Sequence, residues 1–203
     1  MFEAVLRAAT PEFRALLVLD VMTAQRGSDV TKMSPQQYDT ERRTIALRQK
    51  KTGKDLVLRV PDALAATLAD IQGRHETRLL LTPRGKPWVT KNAQETLRML
   101  LSNLGLDRYT LHGLRATGPT ELRLAGETKE DLQTLLGHSS ITTTEGYLKG
   151  AADFPAIARM QEALAVILTP TLESALVGAN QTKAAEATGR GGRPDQRAPG
   201  TSG

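Results

Sequence analysis

The sequence predicts an α+β fold that is mainly helical and carries a small three-stranded antiparallel sheet. Apolar residues recur at helical spacing along most of the chain, and only residues 43–60 change to an alternation with a period of two. The 203 residues suffice for one ordinary domain, which we expect to span residues 1–168. The remainder, residues 169–203, ends in a segment rich in Gly, Pro and polar residues and is predicted to be a disordered tail.

Three helices are predicted at the start of the chain. Residues 2–25 carry apolar side chains at helical spacing, and Pro11 marks the start of the second helix because a first turn does not need its N–H. Ser28 is a favourable N-cap for a short third helix, which Pro35 ends.

The sheet is predicted from two segments. Residues 43–60 form a β-hairpin, because apolar and polar residues alternate on both sides of a turn in which Gly53 lies. The short apolar run Leu79–Leu81 is predicted to be the third strand. The hairpin places several basic side chains at its tip.

Five further helices follow from apolar spacing and from the Gly and Pro residues at their ends. They are predicted at about residues 62–71, 92–104, 112–125, 128–136 and 157–167. Pro119 falls inside one of them, four residues after Arg115, and removes a backbone hydrogen bond, so that a kink there would either misplace the guanidinium or bend only the exposed end of the helix.

The composition excludes several classes of protein. With no Cys, a disulfide framework, a zinc-thiolate site and a cysteine nucleophile are all excluded, and a reducing compartment is the simplest location. No apolar run approaches the roughly 18 residues of a membrane span, and the first residues lack the layout of a signal peptide. These features predict a cytoplasmic protein without a membrane segment.

Positive charge is concentrated in the hairpin. The chain has 27 Lys and Arg against 22 Asp and Glu, a net charge of +5. Between residues 41 and 60 there are seven basic residues against two acidic ones, an excess that equals that of the whole chain: Arg42, Arg43, Arg48, Lys50, Lys51, Lys54 and Arg59. Such a cluster is either the solvated face of a strand, which is the commoner case, or a patch that faces phosphates.

Chemically versatile residues gather later in the chain. His112 and Arg115 are three apart on a predicted helix and so share a face, and His138 and Tyr147 follow within the same region. Each of these residues, taken alone, usually has a structural role. Together with the basic hairpin they supply a nucleophile, proton-transfer groups and cations, which suits attack on a phosphodiester without a metal. No acidic cluster accompanies them, which disfavours a two-metal nuclease, and we predict no metal and no cofactor.

The spacing of these residues resembles that of the tyrosine recombinases, the phage integrase family. The resemblance rests on His-Gly-Leu-Arg at 112–115 and on Leu-Leu-Gly-His-Ser-Ser-Ile-Thr-Thr-Thr-Glu-Gly-Tyr at 135–147. Upstream, Thr-Ala-Gln-Arg-Gly-Ser-Asp-Val at 23–30 resembles the first-arginine motif of the family, and Gln-Lys-Lys-Thr-Gly-Lys at 49–54 resembles its lysine-bearing hairpin. The similarity covers roughly residues 1–165.

The resemblance implies the central chemistry. Tyr147 would attack the scissile phosphate and form a 3′-phosphotyrosyl bond, releasing a 5′-hydroxyl, so that rejoining needs no ATP. Arg26 and Arg115 would hold the non-bridging oxygens, which a planar guanidinium matches in a bidentate manner. Lys51 would protonate the leaving 5′-oxygen. Tyr38 and Tyr109 remain competitors for the nucleophile, as do Lys50 and Lys54 for the acid.

The remaining roles are implied in the same way. His112 would act as the general base or orient Tyr147, His138 would donate a hydrogen bond to the phosphate, and Asp29 would orient the site from behind Arg26. The DNA-binding residues would be the surrounding cations of the hairpin, namely Arg42, Arg43, Arg48, Lys50 and Lys54.

The resemblance also implies partners. They are double-stranded DNA at mobile-element attachment sites, further copies of the chain in a tetramer on DNA, and an accessory DNA-bending protein or excision factor. Arg26 lies so near the start that the amino-terminal core-binding domain of the family is expected to be absent. A truncated, inactive DNA-binding remnant and a type IB topoisomerase-like strand transferase are the alternatives.

Overall fold

The computed structural model describes residues 2–69, 71, 75–106, 109–137 and 155–175. The helices of these ranges are α1 (Phe2–Ala8), α2 (Pro11–Thr23), α3 (Gly27–Val30), α4 (Asp62–Ala69), α5 (Thr90–Asn103), α6 (Leu111–Arg115), α7 (Thr117–Leu124), α8 (Lys129–Leu136) and α9 (155–175). A 3₁₀ turn covers Pro35–Gln37, and the strands are β1 (Tyr38–Asp39), β2 (Thr44–Arg48) and β3 (Asp55–Arg59). The predicted class, mainly helical with a three-stranded antiparallel sheet, is confirmed.

Helix α2 forms the centre of the core. Every residue from Ala15 to Thr23 is buried, so the helix is enclosed on all sides and packs against α4, α6 and α7. Pro11 is its first residue, as predicted, and the Thr10 hydroxyl caps it by accepting a hydrogen bond from Phe13 N at 3.3 Å. The loop that follows α2 therefore begins at the buried end of this helix.

The hairpin forms as predicted, with strands in the order β1-β2-β3. Ile45 pairs with Leu58, and Leu47 pairs with Leu56, so that one face of the hairpin is buried. Gly53 has a φ of +67°, a conformation that glycine adopts without strain, and its N–H donates to the Gln49 carbonyl at 2.9 Å.

The prediction of the third strand was wrong. The strand that completes the sheet is Tyr38–Asp39, which pairs with the edge of β2. The run Leu79–Leu81 makes one isolated bridge to Pro87 instead, and all three of its leucines are buried. A run that is buried throughout carries no alternation, so its apolar character reports burial and not strand pairing.

The helix predicted at 112–125 is two helices, α6 and α7, that meet at Ala116. Pro119 therefore lies in the first turn of α7, where its missing N–H has no partner to lose, and the helix that carries Arg115 ends before it. Gly118 explains the close packing here, because a Cβ at this position would lie 2.5 Å from the Val21 carbonyl oxygen. Helix α7 thus rests directly on the backbone of α2.

Two further boundaries differ from the sequence prediction. Arg26, and not Ser28, occupies the N-cap of α3, so Ser28 lies within that helix. Helix α9 continues through residue 170 to residue 175, because Leu168, Leu172 and Ala175 extend its buried stripe. The folded part therefore extends seven residues beyond the predicted boundary at residue 168, and residues 176–203 lie outside the described ranges. Within those ranges, no helix has the length and apolar character that crossing a membrane requires.

Candidate active site

Arg115 is fixed to the end of α2. It is the last residue of α6 and only 6% exposed, and its Nε donates a hydrogen bond to the Ala24 carbonyl at 2.5 Å. Ala24 ends α2 in the left-handed region, at a φ of +52°, which turns the chain toward Arg26. The two arginines of the predicted site are therefore joined through a single short loop, although 89 positions separate them in sequence.

Arg26 lies half-buried beside the hairpin. Its Nη1 donates to Gln49 Oε1 at 3.3 Å. Burial lowers the pKa of Arg115, and the nearby charge of Arg26 lowers it further. Two guanidinium groups that repel each other in this way form a favourable place for a phosphate, whose negative charge would offset part of that repulsion.

Two buried carboxyl groups, those of Asp20 and Asp29, lie close enough to Arg115 to affect its pKa. Asp20 is buried in α2, and this burial raises its pKa to about 8, against the opposing effect of Arg115. Asp29 is also buried, and its Oδ1 accepts a hydrogen bond from Lys50 N at 3.2 Å. The side chain predicted to orient the site from behind Arg26 thus contacts the hairpin backbone, next to the predicted acid Lys51.

Lys51 lies in the hairpin turn with its side chain exposed. Lys50 beside it is exposed as well, whereas Gln49 is fully buried and points into the protein. The contact between Gln49 and Arg26 places the start of this turn at the arginine loop. Lys51 thus carries an exposed ammonium group on a flexible stem beside that loop.

His112 lies on the exposed side of α6, one turn before Arg115. The two residues line a cavity of about 410 Å³ together with Thr120 and Leu136. Thr110 caps the short helix by accepting a hydrogen bond from Gly113 N at 3.0 Å, which sets the direction in which His112 and Arg115 project.

The predicted DNA-binding residues of the hairpin fall into two groups. Three arginines form ion pairs with nearby carboxylates: Arg42 with Asp39, Arg43 with Asp62 and Arg48 with Asp55. Lys50 is exposed at the turn and Lys54 is half-buried beside it. Exposed ion pairs are weak, so these three arginines are able to exchange partners.

His138 and Tyr147 lie outside the described residues. The last described residue before them, Gly137, has a φ of +64°, and a Cβ there would lie 2.5 Å from Gln49 Nε2. The chain therefore leaves α8 beside the hairpin. Of the competing tyrosines, Tyr109 is 42% exposed, while burial raises the pKa of Tyr38 on β1.

The sequence prediction missed two residues of this region. Gln25 and Gln49 are both completely buried and hydrogen-bonded to each other, directly beside Arg26 and close to Lys51. Their only signal in the sequence is a polar residue within each motif. In the described part of the chain, no group of three or more His, Cys, Asp or Glu side chains could hold a metal ion.

Comparison with known proteins points to one family. The model of the phage integrase family matches residues 3–153. Tyrosine recombinase XerC of Roseiflexus castenholzii is 29% identical over 161 residues, which cover 72% of this chain and 51% of that protein. The chain spans about half the length of the curated relatives it matches.

Solved structures share the fold. The lambda integrase catalytic core superposes with a TM-score of 0.59 at 21% identity, covering 70% of this chain and 91% of that one. A lambda integrase tetramer bound to a Holliday junction superposes with a TM-score of 0.58 at 21% identity, covering 72% of this chain and 47% of that one. Since the family model matches most of the sequence, the chain belongs to the phage integrase family of tyrosine recombinases.

Proposed function

We propose that this chain is the catalytic part of a site-specific DNA recombinase that cleaves and rejoins strands through a 3′-phosphotyrosyl intermediate. One observation carries the proposal. The Arg115 contact with Ala24 and the Arg26 contact with Gln49 bring two guanidinium groups and the Lys51 turn together from three distant segments. Paired arginines beside a mobile lysine suit a phosphodiester in which charge develops on the non-bridging oxygens.

The proposed step is a transfer of the phosphoryl group between oxygens. The Tyr147 oxygen attacks the phosphorus, and the bond from phosphorus to the 5′-oxygen breaks as the bond to tyrosine forms. His112 accepts or orients the phenolic proton, and Lys51 donates a proton to the leaving 5′-oxygen. His138 donates a hydrogen bond to the phosphate. Reversal by the 5′-hydroxyl of another strand completes rejoining, with no net oxidation and no nucleotide cofactor.

Arg26 and Arg115 stabilise the transition state. Their mutual repulsion, which contributes to the lowered pKa of Arg115, is relieved when a phosphate binds. The relief grows as negative charge accumulates in the pentacoordinate state, so the pair contributes more to the transition state than to the bound substrate. Asp29 acts from behind by holding the hairpin backbone at Lys50.

The proposed substrate is double-stranded DNA at the attachment sites of a mobile element. A lambda integrase of the same fold is known as a tetramer bound to a Holliday junction, and we propose the same assembly of four copies for this protein. An accessory DNA-bending protein or excision factor would be a further partner. The chain itself would act in the cytoplasm.

Covalent trapping tests the proposal. The full chain is incubated with 5′-labelled duplexes that carry a nick and randomised base pairs around it, so that the short cleaved fragment dissociates and blocks rejoining. We expect a labelled band that resists denaturant, appears with Tyr109→Phe and is lost with Tyr147→Phe. Sequencing the trapped DNA then gives the preferred site.

The other outcomes separate the alternatives. Salt-sensitive DNA binding without any covalent band would contradict the proposal and identify an inactive DNA-binding remnant. Covalent bands on every sequence, together with relaxation of supercoiled plasmid, would instead identify a type IB topoisomerase-like strand transferase.

A further inference from the structure

Two buried glutamines link the elements of the site. Gln25 and Gln49 are each 0% exposed, and Gln49 Nε2 donates to Gln25 Oε1 at 2.6 Å. Gln25 is adjacent to Arg26 at the end of α2, and Gln49 begins the hairpin turn. Burying two amides is costly unless their donors and acceptors are satisfied, so this arrangement depends on the contacts around it.

Together the two glutamines join three segments, namely the end of α2, the hairpin and the end of α8. Gln25 Nε2 donates to the Thr23 carbonyl at 2.9 Å and to the Leu135 carbonyl at 3.0 Å, which joins the end of α2 to the end of α8. Gln49 Nε2 donates to the Leu136 carbonyl at 2.9 Å, which joins the hairpin to the same end of α8.

The acceptor of Gln49 faces the catalytic side. Its Oε1 accepts from Arg26 Nη1 at 3.3 Å and from the Thr52 hydroxyl at 2.5 Å. Thr52 follows Lys51 directly, and Gly53 N donates to the Gln49 carbonyl at 2.9 Å. The conformation of the turn that carries Lys51 is thus set from both the side chain and the backbone of Gln49.

The side-chain amide of Gln49 occupies space that Gly137 leaves open. A Cβ on Gly137 would lie 2.5 Å from Gln49 Nε2 and 2.8 Å from its Cδ, so only glycine leaves room. An aliphatic side chain could fill the same volume but could not bridge a guanidinium, a hydroxyl and two carbonyl groups.

We infer that Gln25 and Gln49 are positioning residues that hold the Lys51 turn in register with Arg26 and with the end of α8. The inference rests on the proposed function, in which Lys51 protonates the leaving oxygen. Gln49 acts on the turn directly, and Gln25 acts through Gln49, since no described contact joins Gln25 to the turn itself.

Sulfur substitution at the leaving group tests this role. We would compare Gln49→Met and Gln25→Met, which keep side-chain length but remove the amide, with Gln36→Met, a surface glutamine that contacts the Glu76 carbonyl. Each full-length variant is given two versions of the trapped duplex, one with the normal 5′-oxygen and one with 5′-sulfur. A thiolate leaves without a proton, so cleavage of the sulfur duplex does not require a well-placed Lys51.

The ratio of the two cleavage rates is the readout, because it is independent of how much of each preparation is folded. For both buried variants we expect cleavage of the oxygen duplex to fall about tenfold or more, and the sulfur-to-oxygen ratio to rise at least about fivefold above that of the wild type. Lys51→Met calibrates the largest rise, and Gln36→Met should match the wild type. An unchanged ratio, whether or not both rates fall, would overturn the inference.

A second measurement does not depend on cleavage. In ¹⁵N-labelled protein, Gln25→Met should shift the backbone amide signals of Thr52 and Gly53, which the described contacts connect to Gln25 through Gln49, while Gln36→Met should not. Unshifted signals would overturn the inference even in a protein that cleaves DNA. Failure of the wild type to form a covalent band, with these shifts present, would instead count against the proposed function alone.

Discussion

Asp20 is the most unusual single residue of the described structure. Its carboxyl group is 1% exposed, and neither oxygen has a hydrogen-bond partner among the described residues. Burial raises its pKa to about 8, from an ordinary value of 3.8. The Asp20 carboxyl is therefore mostly protonated at neutral pH in the folded protein, whereas it is ionised in the unfolded chain.

Asp20→Asn should change how stability depends on pH. Because the folded state holds the proton more tightly, the free energy of unfolding of the wild type should decline as pH rises from about 4 to about 8, by up to about 5 kcal/mol from this group. Asparagine has no proton to lose, so the variant should lack that part of the decline. Urea unfolding at several pH values between 5 and 8 measures it, and parallel profiles for the two proteins would contradict the assignment.

Arg115→Lys should separate charge from geometry. Lysine keeps the positive charge but cannot both bind the Ala24 carbonyl through Nε and present a planar fork to phosphate. We expect covalent cleavage to fall about 10² to 10³-fold, with DNA affinity changed by no more than about twofold. Arg123→Lys, on the same cavity, is the matched control. Equal cleavage by Arg115→Lys and the wild type would show that the guanidinium fork is not needed.

At the scale of residues, the motif spacing predicted which side chains to examine but not how they are held. Arg26, Arg115 and the Lys51 turn could be placed in one region from the order of the motifs, and their catalytic roles stay predictions. Gln25 and Gln49 could not be found, because burial of a polar side chain is decided by elements distant in sequence.

At the scale of elements, periodic patterns were reliable and short unpatterned segments were not. The alternation of the hairpin and the long apolar run of α2, which begins at Pro11, each predicted an element that formed as expected. Strand β1 has only two residues and is defined by the free edge of β2, so no local pattern could reveal it. The close approach of Gly118 to α2, just after the division between α6 and α7, likewise involves a helix distant in sequence.

Gly118→Ala tests that close approach. A methyl group there would meet the Val21 carbonyl oxygen at 2.5 Å and Leu164 at 3.0 Å, so the free energy of unfolding should fall by about 1 to 3 kcal/mol. Gly113→Ala, in α6, meets Thr110 at an ordinary 3.4 Å and should be neutral or stabilising by up to about 1 kcal/mol. Chemical denaturation compares them. A Gly118→Ala protein as stable as Gly113→Ala would mean that α7 does not rest on α2.

The hairpin turn should dominate the salt dependence of DNA binding. Lys50 and Lys51 are exposed there, and each phosphate contact contributes about 0.9 to the slope of log affinity against log salt. Because this slope is negative, replacing either lysine by alanine should make it shallower by about 1. Arg159→Ala is the control, because that side chain lies on α9 and not on the hairpin. Equal slopes for Lys50→Ala, Lys51→Ala and the control would place the DNA elsewhere.

At the scale of the whole molecule, the site is organised around the end of α2. This buried helix supplies the carbonyl that anchors Arg115, the carboxyl of Asp20 behind it and the loop that carries Gln25 and Arg26. The hairpin and the end of α8 then join the same loop through Gln49. A rigid centre with exposed cations at its edge is the arrangement that the proposed strand exchange requires.

Cleavage by this chain is expected to leave Tyr147 bonded to DNA. The most direct test is to digest the trapped complex with trypsin and nuclease and to locate the remaining nucleotide by mass spectrometry. We predict a 3′-phosphoryl nucleotide on Tyr147, within the tryptic peptide 130–149. A nucleotide on Tyr109, on Tyr38 or on a serine would contradict the account.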